Sequence, residues 1–149
     1  VGYYQGEYSI KNPDKYVGDL TKKIIYRSSW EFEIMLALDE SDKVKCWSSE
    51  EFMIPYFNPE SGKDVNRYFI DFFVELVDGN KYLIEIKPSK FTDLDKYSKE
   101  KSDSVRQEYH KNFLKWMSAS EFAKSQNMKF LVLTENEIPV VKELLKSKK

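Results

Sequence analysis

With 149 residues and 17.7 kDa, the chain has room for a single apolar core, which excludes a two-domain enzyme. Charged residues make up 33% and aromatic residues 15%, a mixture that disordered and fibrous chains do not carry. A formal net charge of −1 excludes a surface uniformly coated in positive potential, and one Cys with one His excludes an internal disulfide and a zinc site of His and Cys ligands.

Any metal must therefore sit on carboxylate oxygen. The charge is unevenly spread: residues 1–80 hold 9 Lys and Arg against 15 Asp and Glu, and residues 81–149 hold 15 against 10. An acidic half beside a basic half suits a metal-dependent phosphodiesterase, and it also suits an ordinary solvated surface. No stretch reaches the roughly 20 apolar residues of a membrane span. Val1 to Asp19 is polar and tyrosine-rich without an apolar signal core, so an intracellular, reducing setting without membrane contact is expected.

Residues 1–23 place Gly2, Gly6, Pro13 and Gly18 among tyrosines and lysines without periodicity. They read as an extended arm that wraps the domain or a partner, leaving 24–149 as one domain. From Ser28 to Leu38 good helix formers carry apolar residues three and four apart, which predicts a first helix ending near Asp39 to Lys43. Val44 to Ser48 is a strand candidate, and Phe52 to Phe57 is a second whose Pro55 puts it at an edge or a bulge. Arg67 to Val77 reads as one long strand, apolar on both faces and so covered on both. Lys81 to Lys87 follows after Asp78-Gly79-Asn80 as its hairpin partner. A polar linker from Ser89 to about Ser102 leads to a helix over about Ser104 to Ser125. A strand over Lys129 to Thr134 and a closing helix from near Asn136, with Pro139 in its first turn, complete the chain. The order implies an α/β fold with one mixed central sheet flanked by helices.

Asp71 lies within the long strand, where a lone carboxylate costs several kcal/mol unless it is paired, hydrogen-bonded or bound to a cation. Glu85 and Lys87 are two apart on the next strand, so their side chains leave one face about 7 Å apart. If Val77 pairs with Lys81 across a three-residue turn, Asp71 stands opposite Lys87 and diagonal to Glu85, while apolar residues meet apolar ones. An even-length turn would throw Asp71 to the other face, so an odd turn or a bulge is required. The pattern [DE]-x-K is short, yet it occurs once in the chain, at Glu85-Ile86-Lys87. Two acids and an ammonium on one face form a hard-ligand site for Mg²⁺ or Mn²⁺, with the lysine placed to orient a water or neutralise charge on phosphorus. The competing reading is a cross-strand Asp71–Lys87 salt bridge with Glu85 exposed beyond a sheet edge.

A helix with Glu31, Asp71 on a strand, Glu85-x-Lys87 on the next, then helix and strand resembles the αβββαβ core of the PD-(D/E)xK nuclease superfamily, which has a restriction-endonuclease-like fold. The segments Gly2-Tyr3-Tyr4-Gln5-Gly6, Ile25 to Glu31, Tyr68 to Phe72, Leu83 to Pro88, Lys115-Trp116 and Leu133-Thr134-Glu135 together resemble the head completion nucleases of T4-like tailed phages. Those are themselves similar to the nuclease subunits of Tn7-type transposases. Ile70 stands where the superfamily motif writes Pro.

The resemblance implies that Asp71, Glu85 and the Ile86 carbonyl ligate Mg²⁺ or Mn²⁺, that Glu31 completes the acidic cluster, and that Lys87 is the catalytic lysine. Read from the residues alone, Ser28-Ser29-Trp30-Glu31 is also a capping box, and Glu33 is the substitute should the helix be rotated. It further implies endonucleolytic hydrolysis of double-stranded DNA, contacts with phage head and neck proteins, and action in the host-cell cytoplasm, with incorporation in the virion head as a further location. The oligomeric state is left open. Lys90, Arg106, Gln107, Lys111 and Lys115 are the expected DNA contacts, and Arg27 either binds a phosphate or anchors Tyr26. Two other roles stay open: a virion connector that docks through the arm, and a transposase- or repair-type nuclease that cuts only with a partner. His110, Cys46, Trp30, Trp116, Phe69 and Phe73 read as packing or surface residues.

Overall fold

The computed structural model describes residues 5–99 and 101–146; the Gly2-Tyr3-Tyr4 part of the opening motif lies outside them. The elements are β1 (Gly6–Glu7), β2 (Ile25–Tyr26), α1 (Ser29–Glu40), β3 (Val44–Ser49), β4 (Met53–Tyr56), β5 (Asn66–Phe69), β6 (Phe72–Leu76), β7 (Lys81–Ile86), α2 (Leu94–Lys99), α3 (Asp103–Ser125), β8 (Lys129–Leu133) and α4 (Ile138–Leu145).

Four strands form the central sheet in the order β3-β6-β7-β8; the first two pairings are antiparallel and β7–β8 is parallel. The parallel pair is joined through α3, as a crossover connection demands. Period-two alternation then sorts the core onto two faces. Phe72, Val74 and Ile84 pack with Ile34, Met35 and Leu38 of α1 and Ile138 and Leu145 of α4. Phe73 and Leu83 face the other way, onto Ala119 and Ala123 of α3. Both alanines are fully buried, and their small size lets the long helix lie close to the sheet. The mixed sheet with helices on both faces is the α/β architecture expected.

The predicted strand over Arg67 to Val77 is broken. Its first part, β5, pairs with β4 in a separate two-stranded ribbon, and its second part, β6, enters the central sheet. The chain changes neighbours at the break: the Ile70 amide donates to the Phe52 carbonyl at 3.0 Å, and the Asp71 carbonyl accepts from the Glu50 amide at 3.0 Å. Alternation continues through Ile70 and Asp71, so the pattern carries no mark of the switch. Pro55 sits in the ribbon opposite Arg67, where a missing N–H leaves the central sheet intact.

The hairpin register also differs by two residues from the expected one. Phe72 pairs with Ile84, Phe73 with Leu83, Val74 with Tyr82 and Glu75 with Lys81. The Leu76 amide reaches the Asn80 carbonyl at 2.9 Å, so the turn is Val77-Asp78-Gly79, with Gly79 at φ 94°, a conformation glycine adopts without a Cβ clash. The turn length stays odd, so Asp71 keeps the face of Phe73 and Glu85, but the register sets it level with Glu85 rather than Lys87.

The arm lies on the domain. β1 pairs with β2, Tyr8 and Tyr16 are buried, and the Tyr16 ring meets Trp47 edge-on at 5.0 Å. Its anchor is Asp39, fully buried at the end of α1, whose carboxylate accepts from Tyr8 Oη (2.6 Å), the Lys11 amide (2.8 Å) and the Asn12 amide (3.0 Å). The stretch read as a linker contains the short α2. Cys46, expected in the core, is only partly buried and lies 3.7 Å from Glu75.

Candidate active site

The strand break turns Asp71 from a mid-strand residue into one at a corner. With no ladder partner opposite it, the Ile86 amide donates to Asp71 Oδ2 at 2.7 Å. Glu85 is 5% exposed; its Oε1 accepts from Tyr68 Oη at 2.7 Å, and its Oε2 lies 3.9 Å from Lys87 Nζ. The expected alternative, an Asp71–Lys87 bridge with Glu85 in solvent, is therefore replaced: Lys87 pairs with Glu85, and Glu85 is buried.

Glu31 joins these acids from the first turn of α1. Its amide donates to Ser28 Oγ at 3.1 Å, the serine half of the capping box. The reciprocal half is displaced, since the Glu31 carboxylate accepts from the Arg27 amide at 3.4 Å rather than from Ser28. Glu33 turns away and pairs with Lys142 at 2.7 Å, so it is no substitute for Glu31.

The electrostatics mark these carboxylates as one group. Burial pushes the Asp71 carboxyl well above the usual range, and the neighbouring Glu85 and Glu31 add to the rise, against a lowering from the Ile86 amide. Glu31 is raised by burial, with Glu50 and Glu85 contributing against Arg27. Burial and like-charge repulsion of this kind are relieved by a nearby positive charge.

Glu50 gave no sequence signal. It sits in the bend between β3 and β4 at φ 54°, a left-handed conformation that is costly outside glycine and that clusters at functional sites. Its carboxylate binds Arg27 Nη1 at 2.6 Å, and this bond raises the Arg27 guanidinium against a lowering from burial. Arg27 thus ties the bend after β3 to the residues just before α1. The arm lysines Lys22 and Lys23 share a hollow of about 240 Å³ with Glu50 and Phe69.

The expected DNA contacts divide. Lys115 of α3 stands at the site, with its ammonium 4.5 Å from the centre of the Tyr68 ring; burial lowers it, Glu85 raises it and Lys87 lowers it further. Lys90 lies one turn past the motif, 5.1 Å from the Phe91 ring, and Lys87 is 5.6 Å from the same ring. The Ser89 amide and hydroxyl both bind Glu135, at 2.8 and 2.7 Å, which fixes this turn against the end of β8. Lys111 pairs with Glu108 at 3.1 Å. Arg106 and Gln107 line a separate hollow with Glu60, Asp103 and His110, and Gln107 lies about 12 Å down the helix axis from Lys115. His110 approaches Glu60 at 3.6 Å, a partner that spacing could not nominate.

Among the described residues, no three of His, Cys, Asp and Glu are grouped closely enough to hold a metal as they stand. The donor chemistry nevertheless fits a hard divalent cation: oxygen ligands only, buried, and repelling one another. Asp71, Glu85 and the Ile86 carbonyl are the groups that would hold it, with Glu31 beside them. A larger apolar groove of about 630 Å³, lined by Phe91, Tyr109, Phe113, Trp116, Met117 and Phe130 among others, contains none of these acids.

Comparison with known proteins identifies the family. The model of the TnsA-like endonuclease N-terminal domain matches residues 41–135, a span that includes Asp71, Glu85 and Lys87 and begins after Glu31. The head completion nuclease of Enterobacteria phage T4 is 36% identical over 140 residues, covering 89% of this chain and 92% of that relative. With a family model that matches the greater part of its length and a relative 36% identical over most of both chains, the chain belongs to the TnsA-like endonuclease family.

Proposed function

We propose that the chain is a Mg²⁺- or Mn²⁺-dependent endonuclease that hydrolyses phosphodiester bonds of double-stranded DNA and processes DNA ends in phage head completion, before heads and tails join. The observation that carries this reading is the gathering of Asp71, Glu85 and Glu31 beside Lys87 at the break between β5 and β6. A bound divalent cation supplies Lewis-acid activation of the phosphodiester and of the attacking water. Asp71 and Glu85 would hold it, with the Ile86 carbonyl. Lys87, kept 3.9 Å from Glu85 and 20% exposed, directs its ammonium at the charge that develops on the phosphoryl oxygens. Lys115 and Lys90 flank that position and take neighbouring phosphates, with Lys111, Arg106, Gln107 and Arg27 further out.

The relative's name, head completion nuclease, supports the setting: head and neck proteins as partners and the host cytoplasm or the virion head as the place of action. Among the described residues no helix is long and apolar enough to cross a membrane. A purely structural connector that docks through the arm is less well supported, since Tyr8 and Tyr16 are buried in this chain's own core.

The test is cleavage of supercoiled, linear and branched DNA over a titration of Mg²⁺ or Mn²⁺, wild type beside Asp71→Ala. Cleavage that needs the cation and is lost in the variant is expected. Cleavage that survives EDTA or the substitution overturns the proposal.

A further inference from the structure

Glu85 reaches the site from the central sheet, but what fixes its carboxylate comes from elsewhere. The Tyr68 hydroxyl belongs to β5, in the two-stranded ribbon outside that sheet. Tyr68 is 2% exposed and donates to Glu85 Oε1 at 2.7 Å. The opposite oxygen, Oε2, is the one that faces Lys87. Above the Tyr68 ring, 4.5 Å from its centre, stands the Lys115 ammonium, which packs the ring against the site from the α3 side and restricts its rotation.

A buried glutamate has free rotation about its terminal bond unless one oxygen is held. With Oε1 held by a phenol, Oε2 alone is directed at the Lys87 side, and the two oxygens are no longer interchangeable. We propose that Tyr68 is a positioning residue of the endonuclease: its hydroxyl fixes the Glu85 carboxylate in the orientation from which the other oxygen serves the metal and Lys87. The inference rests on the reading of Asp71, Glu85 and Lys87 as the catalytic centre. Partners that orient metal ligands in this way characteristically govern metal affinity or turnover by 10- to 100-fold.

The experiment compares Tyr68→Phe with Tyr8→Phe and Asp71→Ala. Tyr8→Phe is a matched control, because it also removes a buried phenol from a buried carboxylate, that of Asp39 at 2.6 Å, away from the site. Four quantities are read: kcat and KM on DNA with saturating Mn²⁺, the calorimetric affinity for Ca²⁺ without DNA, and Tm. For Tyr68→Phe the expected result is a kcat lower by about 10- to 100-fold or a Ca²⁺ affinity weaker by a similar factor, with KM for DNA within about twofold. For Tyr8→Phe both kinetic constants and the Ca²⁺ affinity stay at wild-type values while Tm falls.

A Tyr68→Phe protein with wild-type kcat and Ca²⁺ affinity overturns the inference, as does one whose only change is a raised KM. Should Asp71→Ala remain active, the reading of the centre itself fails, and that result is separate. Should Tyr68→Phe fold but melt lower than wild type, so that lost stability could account for the change, Glu85→Gln is compared with Glu85→Gln combined with Tyr68→Phe. If Tyr68 acts through Glu85, the second substitution leaves Ca²⁺ affinity within about twofold; a further additive loss overturns the inference.

Discussion

The Ile86 amide donates to Asp71 Oδ2 at 2.7 Å, so a backbone group of one motif strand is satisfied by the motif carboxylate of the strand before it. The bond stands where a ladder bond would continue had β5 run on into β6. Breaking the strand leaves Asp71 at a corner where Glu85 and Glu31 raise its carboxyl, and Lys87 follows one residue beyond the bond.

Asp71→Asn keeps an acceptor for Ile86 and removes one of the mutually repelling charges. Without divalent metal it is expected to stabilise the fold by about 0.5–2 kcal/mol, the usual yield where a site's strain is relieved, while cleavage falls to background. Thermal melting in EDTA beside a plasmid-nicking assay checks both halves.

Lys87→Met leaves the acids in place and removes the ammonium. A loss of 10²- to 10³-fold in kcat is expected, the scale of one preorganised charge at a developing oxyanion, with DNA affinity in Ca²⁺ changed by less than about threefold. Single-turnover cleavage and filter binding separate the two effects.

Divalent cation and pH act on the same acids. Asp71 and Glu31 are raised in the folded chain, chiefly by burial. A carboxyl raised by folding takes up its proton more readily when folded, so its contribution to stability is greatest at low pH and declines as pH rises through the raised value. Metal-free protein therefore loses this stability as pH rises above the ordinary carboxylate range, and a cation restores it. At a hundredfold excess over Kd, Ca²⁺ is expected to add about 2.7 kcal/mol, roughly 5–10 °C in Tm for a domain of this size, at pH 7.5. The gain shrinks towards pH 5, where protons compete for the same oxygens. Melting curves over pH with and without Ca²⁺ test the sign; a larger gain at pH 5 contradicts it.

Glu50 sits at φ 54°, where glycine is comfortable and alanine is not. Glu50→Gly is expected to be more stable than Glu50→Ala by about 1 kcal/mol. Loss of the half-exposed pair with Arg27 contributes less than that. Chemical denaturation of both variants decides the order.

What was legible in the sequence follows from how local each signal is. Glu85-x-Lys87 stands out because two spaced side chains on one strand share a face whatever the register. Asp71 stands out because a carboxylate among Phe, Ile and Val demands a partner. The hairpin turn was legible in parity but not in position, since a shift of two residues keeps every side chain on its face. The break at Ile70 was hidden because alternation runs through it unchanged. Glu50 was hidden because its importance lies in a backbone bend, and Asp39 because an acid in the last turn of a helix looks like solvated surface until residues 8–12 cover it. Tyr68 looked like one more apolar strand residue, for the ribbon that carries it exists only once β4 and β5 leave the central sheet.

Asp39 yields a stability prediction as well. Asp39→Ala leaves the Tyr8 hydroxyl and the amides of Lys11 and Asn12 buried or half-buried without an acceptor, and a cost of about 3 kcal/mol is expected. Urea denaturation measures it, and limited proteolysis is expected to cut first within residues 5–23.

The same latch sets an order of events during synthesis. Residues 8–12 are synthesised before Asp39, and at 5–20 residues per second their acceptor follows roughly 2–6 s later. Trp47, against which Tyr16 packs, comes later still, and Ser41 Oγ, two residues beyond the latch, meets the Leu145 carbonyl at 2.6 Å only when the last helix arrives. The arm thus docks only once α1 and β3, which carry Asp39 and Trp47, have been made.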